Sequence, residues 1–321
     1  MEQQKNLFTY TLTPEQAATL ELVTSGMSTL ERVQVPYTTL ALKGKKLTIN
    51  LYTSGKLVIQ GKEAHDFVLF TLEPLVLGAA SLGYEEVLDP KMFAPHMGSD
   101  ESGKGDIFGP LITVSVFIDK TTGRQLADLG IRDSKTIADS KIATLATEAR
   151  KILGRQNCAF VLLRPQTYNR VYNKIANLNR LLAWCHARAI ETLAEQRPDC
   201  PRAVIDQFAR TESTINRALM PRGKKLIIEQ MHKAERDIAV AAASVLARDI
   251  FVKELKKLSD EMGMPLPKGA GPKIPETLDI LLKSKGPACL PHVAKCHFKT
   301  IDEALARNGF SRNDLPEPSE A

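Results

Sequence analysis

Two adjacent acids, Asp100 and Glu101, stand beside a glycine-flanked lysine in the stretch GSDESGKGDIFGPL, residues 98–111. Adjacent carboxylates repel each other, so a folded protein needs a reason to hold them together at the end of a strand. The turn from Gly103 to Gly105 can bring backbone N–H groups close to an anion, because its glycines carry no Cβ. Acids that can bind cations, beside a turn that can bind phosphate, predict metal-dependent chemistry on a phosphate ester.

Two further acids stand at the ends of apolar runs. Asp206 follows the run Ala203–Ile205, and Glu235 stands at the start of an alanine-rich helix predicted to reach Leu258. If the strands lie side by side, their ends bring these acids to one edge of a sheet. Four carboxylates there would need two Mg²⁺ or Mn²⁺ ions, about 3.5–4 Å apart, and oxygen-only ligands suit these ions better than zinc. Taken singly, Asp206 could instead cap a turn and Glu235 a helix N-terminus.

The first third of the chain has the pattern of a compact β-α-β-β-β-α unit. Its turns, around residues 43–45 and 53–55, are those of a hairpin. The predicted elements are a strand over Asn6–Leu12, a helix with Thr13 as N-cap and Pro14 at its first position, strands over Thr38–Leu42, Lys46–Tyr52 and Lys56–Gln60, and a helix over Ala64–Leu77.

Five lysines cluster on or beside this hairpin, and no acid interrupts them. Such a cluster is either a solvated face or a surface that follows a phosphate backbone, and the sequence leaves both readings open. The lysines are Lys43, Lys45, Lys46, Lys56 and Lys62.

From residue 98 the pattern predicts a larger α/β domain. A single long amphipathic helix is predicted across Val171, Ile175, Leu178, Leu182, Cys185, Ala189 and Leu193, all at helical spacing. Five strands are predicted: one ending at Asp100 and Glu101, and others over Leu111–Ile118, Ala159–Leu163, Ala203–Ile205 and Leu226–Ile228.

Composition is that of a soluble globular protein, and its charge favours a polyanionic partner, although a solvated basic surface would give the same count. Of 321 residues, 43% are apolar and 25% charged, with a net charge of +6. Residues 1–90 carry 7 Lys and Arg against 10 Asp and Glu, a net of −3, so the remainder carries +9. Five scattered cysteines, no apolar leader and no apolar run of about 18 residues predict a reduced, cytoplasmic protein without a membrane span.

Three stretches together carry a family resemblance: GSDESGKGDIFGPL, AVIDQF from residue 203 and HKAERDIAVAAASVLARD from residue 232. They resemble the type 2 ribonuclease H family, and within it ribonuclease HIII. The sister enzymes, ribonucleases HII, have arginine at the position of Lys104 and aspartate at that of Glu235. The hairpin YTSGKLVIQG is similar to the TATA-binding-protein-like domain that ribonucleases HIII carry.

The resemblance implies a fold and domain boundaries. It implies an α/β catalytic domain with a ribonuclease H-like mixed five-stranded sheet flanked by helices, preceded by a small α+β TATA-binding-protein-like domain that grips the duplex. The boundaries it implies are 1–84 for the substrate-binding domain, 85–97 for a linker, 98–310 for the catalytic domain and 311–321 for a polar tail.

The resemblance also implies an activity: endonucleolytic cleavage of the RNA strand of RNA–DNA hybrids, leaving 3′-hydroxyl and 5′-phosphate ends. Its acidic tetrad falls on Asp100, Glu101, Asp206 and Glu235, as ligands of two Mg²⁺ or Mn²⁺ ions and as acid–base groups. The turn is implied to read the ribose 2′-hydroxyl, which distinguishes RNA from DNA. The substrate-binding residues implied are Gly103, Lys104 and Gly105 for this turn, and Ser134 and Lys135 for backbone phosphate.

One departure from the family bears on the substrate. Ribonuclease HII has a C-terminal tyrosine that helps it recognise a DNA–RNA–DNA junction, whereas no tyrosine follows Tyr172 here. We therefore expect a preference for several consecutive ribonucleotides over a single embedded one. No heptad pattern stands out, so we expect a monomer.

Two other readings of these motifs are weaker. GSDESGKG matches G-x-x-x-x-G-K of a P-loop, but Gly105 replaces the Mg²⁺-binding Ser or Thr, and two acids would lie inside the phosphate cradle. Zinc-like spacing occurs in residues 289–297, but prolines interrupt the segment and no second CxxC is present. The residues concerned are Cys289, His292, Cys296 and His297; His297 with Lys299 could instead contact phosphate.

A hypothesis of a different class is a non-catalytic protein that binds RNA–DNA hybrids through its basic face and hairpin alone. It predicts that replacing Asp206 leaves function intact, whereas the enzyme hypothesis predicts loss of cleavage with binding retained.

Overall fold

The computed structural model describes residues 6–27, 29–78, 92–131, 139–206, 213–231 and 234–316, without the side chains of residues 140, 213 and 235. The chain divides into two compact units, Met1–Met92 and Phe93–Ala321. Each unit has a five-stranded sheet. None of the described helices has the length and apolarity that a bilayer crossing requires.

The first unit is an antiparallel sheet with strand order β1-β5-β4-β3-β2 and two helical segments. Thr13 caps the first helix in a capping box with Gln16, which confirms the predicted helix start. The elements are β1 Leu7–Thr11, α1 Pro14–Ser25, β2 Glu31–Arg32, β3 Thr38–Lys43, β4 Thr48–Tyr52, β5 Lys56–Gln60 and α2 Ala64–Phe67, which continues as a π-helical segment over Val68–Leu77.

The second helix of this unit differs from the regular helix that was predicted. Only its first turn is α-helical, and the π-helical part contains Pro74. Proline has no N–H to donate and its ring clashes with the preceding turn, so the regular ladder cannot continue through it. The apolar side chains still pack on the sheet, since Val68, Leu72 and Val76 are buried in the core of the unit.

The second unit contains a mixed sheet with strand order β10-β9-β6-β7-β8. Strands β6, β9 and β10 are parallel, and β7 is antiparallel to both β6 and β8. The elements are β6 His96–Ser102, β7 Leu111–Ile118, α3 Lys120–Asp128, α4 Asp139–Leu153, β8 Cys158–Leu163, α5 Pro165–Ile175, α6 Leu178–Gln196, β9 Arg202–Asp206, α7 Ser213–Ala218, β10 Ile227–Met231, α8 Ile238–Met262, α9 Lys273–Lys285, α10 Leu290–Val293 and α11 Lys299–Arg307.

The single long helix predicted across residues 171–193 is wrong, because α5 and α6 are separate helices. Ala176 adopts a left-handed conformation with φ 51°, and the Asn177 side chain then caps α6 by accepting from the Arg180 N–H at 3.0 Å. The apolar spacing continues through this break because both helices contribute to one hydrophobic cluster around Tyr168 and Leu182. Periodicity therefore could not reveal the break.

Helix α8, with its alanine-rich face, packs directly on β6. A Cβ added at Gly98 would lie 2.2 Å from the Val240 nitrogen and 2.7 Å from the Ala239 Cβ, so only glycine allows this approach. The helix begins at Ile238, with Asp237 as N-cap accepting from the Ala239 and Val240 amides. The predicted start at residue 235 is three residues early.

Candidate active site

Two of the predicted acids lie side by side at one edge of the mixed sheet. The parallel pairing of β6 and β9 aligns Ser99 with Ile205, so the next residues on the two strands are Asp100 and Asp206. The Asp206 Oδ1 accepts a hydrogen bond from the Ala234 amide at 3.1 Å. This bond ties the end of β9 to the 3₁₀ turn Ala234–Arg236, which carries the fourth predicted acid, Glu235.

Asp100 faces α8 and is held in an environment that opposes its charge. Burial and the adjacent Glu101 carboxylate raise the pKa of Asp100 to about 7. A hydrogen bond with the Ser244 side chain and one from the Glu101 amide, at 2.8 Å, only partly offset this effect. A carboxyl group in this state gains charge readily when a cation approaches it.

Glu101 lies on the opposite face of the sheet, because successive side chains along a strand alternate. Its Oε2 accepts from the His186 Nε2 at 3.0 Å, and its Oε1 lies 3.6 Å from the Lys104 ammonium. Burial opposes ionisation of Glu101, but these two partners outweigh it and lower the pKa of Glu101 below its usual value. The chain itself therefore compensates the charge of this acid.

His186 is fixed by a hydrogen-bond chain that runs back into the sheet. Its Nδ1 lies 2.8 Å from the Ser99 hydroxyl, which donates to the Val114 carbonyl and accepts from the Ser115 hydroxyl. His186, Ser99 and Ser115 are fully buried. A carboxylate can only accept, so the Nε2 of His186 carries the hydrogen that is directed at Glu101. The histidine is thereby oriented before any substrate binds.

The glycine-flanked turn follows β6 directly. Gly103 has φ 91°, and a Cβ there would lie 2.1 Å from the Pro110 carbonyl oxygen, so any other residue would strain the turn. A Cβ at Gly105 would meet nothing within 4 Å. The first glycine is thus required by the fold, whereas the second leaves open space on the side of the turn that a ligand could approach.

A buried lysine holds the segment that leaves this turn. Lys295 is fully buried, and its Nζ donates to the carbonyls of Asp106 at 2.8 Å and Gly109 at 2.7 Å. Burial lowers the pKa of Lys295 to about 7, against the attraction of the Asp106 carboxylate. That carboxylate accepts from the Gly269 amide at 2.6 Å. The turn is therefore clamped from two loops that are distant in sequence.

The remaining predicted residues are only partly described. Ser134 and Lys135 lie outside the described residues, and of Glu235 only the backbone is described. Within the described ranges, no three His, Cys, Asp or Glu side chains gather in a way that could hold a metal ion. The same is true of residues 289–297, the segment with zinc-like spacing. In that segment burial, together with Lys295 and Arg312, lowers the pKa of His297 to about 4.

Sequence reasoning missed His186, Ser244 and Lys295. A signal existed for the first two. His186 lies four residues from Leu182 and Ile190, so it is a polar residue on an apolar helix face, and Ser244 interrupts an alanine-rich face in the same way. Nothing in the local pattern marks Lys295, whose partners are more than 180 residues away.

Comparison with known proteins identifies the family. A model described as Ribonuclease HII matches residues 97–301, and one for a domain of unknown function, DUF3378, matches residues 11–70. The chain belongs to the type 2 ribonuclease H family. This confirms the resemblance that was read from its three sequence stretches.

Similar members of the type 2 ribonuclease H family are named ribonuclease HIII. The Protochlamydia amoebophila protein is 42% identical over 275 residues, covering 85% of this chain and 88% of the relative. The Chlamydia pneumoniae protein is 40% identical over 262 residues, covering 81% and 86%. Ribonuclease HIII, rather than HII, is thus the branch that the chain resembles, as Lys104 and the N-terminal unit indicated.

Solved structures of this family share the fold. Bst-RNase HIII in complex with Mn²⁺ superposes with a TM-score of 0.64 at 26% identity, over 94% of this chain and 99% of that one. The Aquifex aeolicus RNase H3 superposes with a TM-score of 0.52 at 28% identity, over 90% and 98%. These matches confirm the ribonuclease H-like mixed sheet.

Proposed function

We propose that this chain is an endoribonuclease that cleaves the RNA strand of RNA–DNA hybrids with the help of two Mg²⁺ or Mn²⁺ ions, leaving 3′-hydroxyl and 5′-phosphate ends. The observation that carries the proposal is the pair Asp100 and Asp206 at the ends of adjacent parallel strands, next to a turn that leaves room for a ligand. The family to which the chain belongs supports the same reaction.

The donor set fits divalent metal ions that prefer oxygen ligands. Asp100 is a half-buried carboxyl whose pKa is raised to about 7 beside another acid, and Asp206 lies on the next strand. Carboxylate oxygens suit Mg²⁺ and Mn²⁺. The proposed ligands are Asp100, Glu101, Asp206 and Glu235. When bound, such ions activate water and stabilise the leaving oxygen of a phosphodiester.

The chain's own residues would position the substrate and the acids. His186 holds the Glu101 carboxylate in place through its Nε2. The turn from Gly103 to Gly105 can offer backbone N–H groups to the ribose 2′-hydroxyl, which is the group that separates RNA from DNA. Lys104 is more than one-third exposed and adds positive charge beside the same turn, where a phosphate can reach it. Gly103, Lys104 and Gly105 would therefore select the site of cleavage.

The N-terminal unit supplies a second basic surface. All five lysines of its hairpin are exposed, and among the residues that the structure describes only Lys46 of the five has an acid within 4 Å, Glu63 at 3.5 Å. Exposed cations on an otherwise acidic unit suit a phosphate backbone, so we assign this unit, residues 1–84, to duplex binding. Ser134 and Lys135 are assigned to backbone phosphate by the family motif alone.

The experiment that tests the proposal is hybrid cleavage with EDTA and metal add-back, performed on the wild-type chain and on Asp206→Asn. Cleavage should stop with EDTA, return with Mg²⁺ or Mn²⁺, and fall by a factor of 10³ or more in the variant, which should still bind the hybrid. Wild-type cleavage that persists in EDTA would contradict the proposal. Equal function of the two proteins would favour the non-catalytic binding protein.

Two finer assignments complete the proposal. We assign the chain a preference for several consecutive ribonucleotides, which matched substrates with one or four ribonucleotides would test in the same metal. We also assign it to the cytoplasm as a monomer. All five cysteines are free thiols, which suits a reducing compartment. Light scattering of the purified protein would test the monomer.

A further inference from the structure

A cavity of about 580 Å³ opens between the first turns of α6 and helix α7. Its floor is apolar, with buried Ala183 and half-buried Trp184, whereas its rim is polar and cationic. Residues of the rim are Asn177, Asn179, Arg180, Thr214 and Arg217. Nothing in the proposed reaction so far uses this cavity.

The topology places the cavity at the active-site edge of the sheet. Strand β8 is antiparallel to β7, as is β6, so β6 and β8 end at the same edge. Helix α6 then runs back along the sheet to the start of β9, which returns to that edge at Asp206. Arg180 precedes His186, the partner of Glu101, by six residues, which is about 9 Å along the helix axis. The cavity is therefore near the acids.

Two exposed arginines lie at the rim of the cavity. Arg180 and Arg217 are exposed, and in the described part of the chain no carboxylate lies within 4 Å of either guanidinium. Seven other described arginines of this unit have a carboxylate within 4 Å. Those with a carboxylate partner are Arg150, Arg164, Arg202, Arg222, Arg248, Arg307 and Arg312.

The polar groups of the rim are suited to binding the phosphate of a phosphodiester. Guanidinium groups bind phosphate oxygens bidentately, and the amide side chains of Asn177 and Asn179 add donors. These groups surround the N-terminal end of the 19-residue helix α6, where the helix dipole also favours an anion. The indole of Trp184 and the neighbouring Ala183 supply an apolar surface for a sugar or base edge.

We propose that this cavity binds a backbone phosphate of the RNA–DNA hybrid, with its nucleotide resting on Trp184, a short distance along the duplex from the cleaved bond. The inference rests on the proposed function, because it takes the hybrid as the substrate. It adds a contact that holds the duplex in register over the acids, and this contact is formed by α6 and α7 rather than by the glycine-flanked turn.

Trp184 is the only tryptophan of the chain, so its fluorescence reports directly on the cavity. We suggest titrating a hybrid duplex into Asp206→Asn, with Mg²⁺ present, while following tryptophan emission and the anisotropy of a label on the DNA. The proposal predicts that emission changes and saturates at the same hybrid concentration as anisotropy. Unchanged emission at saturating hybrid would overturn it.

The second arm removes the charges and uses a matched control on the same helix. In the double variant Arg180→Ala with Arg217→Ala, the Kd for hybrid should rise about tenfold at ~0.1 M salt, and the slope of log K against log salt should fall by about 2. Arg188→Ala removes an exposed arginine eight residues further along α6 and should change Kd less than about twofold.

The two failures can be told apart. If the wild-type chain cleaves hybrid but the double variant has the same Kd and salt slope as Arg188→Ala, with an unchanged Tm, the cavity does not bind phosphate and this inference fails alone. If the wild-type chain neither cleaves nor binds hybrid, the proposed function fails first.

Discussion

Asp100 and Glu101 are neighbours in the sequence, yet they lie on opposite faces of the mixed sheet and meet opposite environments. On the α8 face, burial outweighs the hydrogen bonds to Asp100 and raises its pKa to about 7. On the α6 face, His186 and Lys104 outweigh burial and lower the pKa of Glu101. Both residues are half-buried, so the difference comes from the groups that surround each carboxyl.

The comparison shows which of the two carboxylates the protein itself supplies with a partner that favours its charge. Helix α6 carries a histidine that compensates Glu101, whereas α8 offers Asp100 a serine hydroxyl from its alanine-rich face. A buried carboxylate without a matching cation is costly. A bound cation would therefore favour ionised Asp100 on the α8 face, whereas on the α6 face His186 and Lys104 already favour ionised Glu101. Three substitutions sharpen or break this contrast.

The largest effect is expected for Asp100→Asn in metal-free protein. A folded pKa of about 7 against 3.8 means that folded Asp100 keeps its proton through a range in which the unfolded chain has lost it. Its contribution to stability therefore falls as pH rises from about 4 to about 7. The difference between these two pKa values corresponds to ~4 kcal/mol of unfolding free energy. The variant should therefore be more stable than wild type by up to that amount near pH 8, and the two proteins should be equally stable near pH 4.

Urea unfolding in EDTA at both pH values measures this difference. Addition of Mn²⁺ should stabilise the wild type and not the variant, because only a folded site with its ligand gains from the ion. A variant that is less stable than wild type near pH 8 would show that Asp100 is already compensated by the protein.

A smaller effect is expected when the close contact between β6 and α8 is broken. The Cβ of Gly98→Ala would lie 2.2 Å from a backbone nitrogen of α8, so the helix must move. We expect a loss of about 3 kcal/mol in the free energy of unfolding. Gly105→Ala is the matched control, since its Cβ meets nothing within 4 Å, and should change stability by less than ~0.5 kcal/mol. Equal urea midpoints for the two variants would refute the close packing.

The smallest effect, opposite in sign to that of Asp100→Asn, is expected for Glu101→Gln. A lowered folded pKa means that ionised Glu101 stabilises the fold above its unfolded pKa, and that this contribution is lost as pH falls through the lower folded value. Gln keeps a hydrogen-bond acceptor for His186 but not the charge, so we expect a loss of ~1 kcal/mol near pH 8. Thermal unfolding in EDTA tests the sign. If Asp100→Asn and Glu101→Gln shift Tm in the same direction, the contrast between the two faces is wrong.

Much of the fold was predictable because its signals are local. The apolar run Leu111–Ile118 was predicted as a strand and forms β7 with those bounds. Helix α1 begins at Pro14 with Thr13 as its N-cap, as the capping pattern indicated. The acids at the strand ends were likewise found from the residues that precede them.

Other features depend on contacts between distant parts of the chain, which local patterns do not contain. The break at Ala176 leaves the apolar spacing intact, and β6 runs past its two acids to Ser102 because β7 continues to pair with it. The partner of Glu101 lies 85 residues away on α6, and Lys295 acts on a turn almost two hundred residues before it. The residue types indicated the chemistry of the site, but only the fold shows which helix supplies a partner to which carboxylate.

Equilibrium binding of Mn²⁺ to the metal-free protein, followed by the electron paramagnetic resonance of the free ion, tests the central claim most directly. Wild type should bind Mn²⁺ with an affinity that falls as pH drops below about 7, because protons then compete for Asp100. Asp100→Asn and Asp206→Asn should each weaken binding by about tenfold or more. Wild-type affinity in Asp100→Asn, or an affinity that does not change between about pH 5.5 and 8, would contradict a metal site at these strand ends.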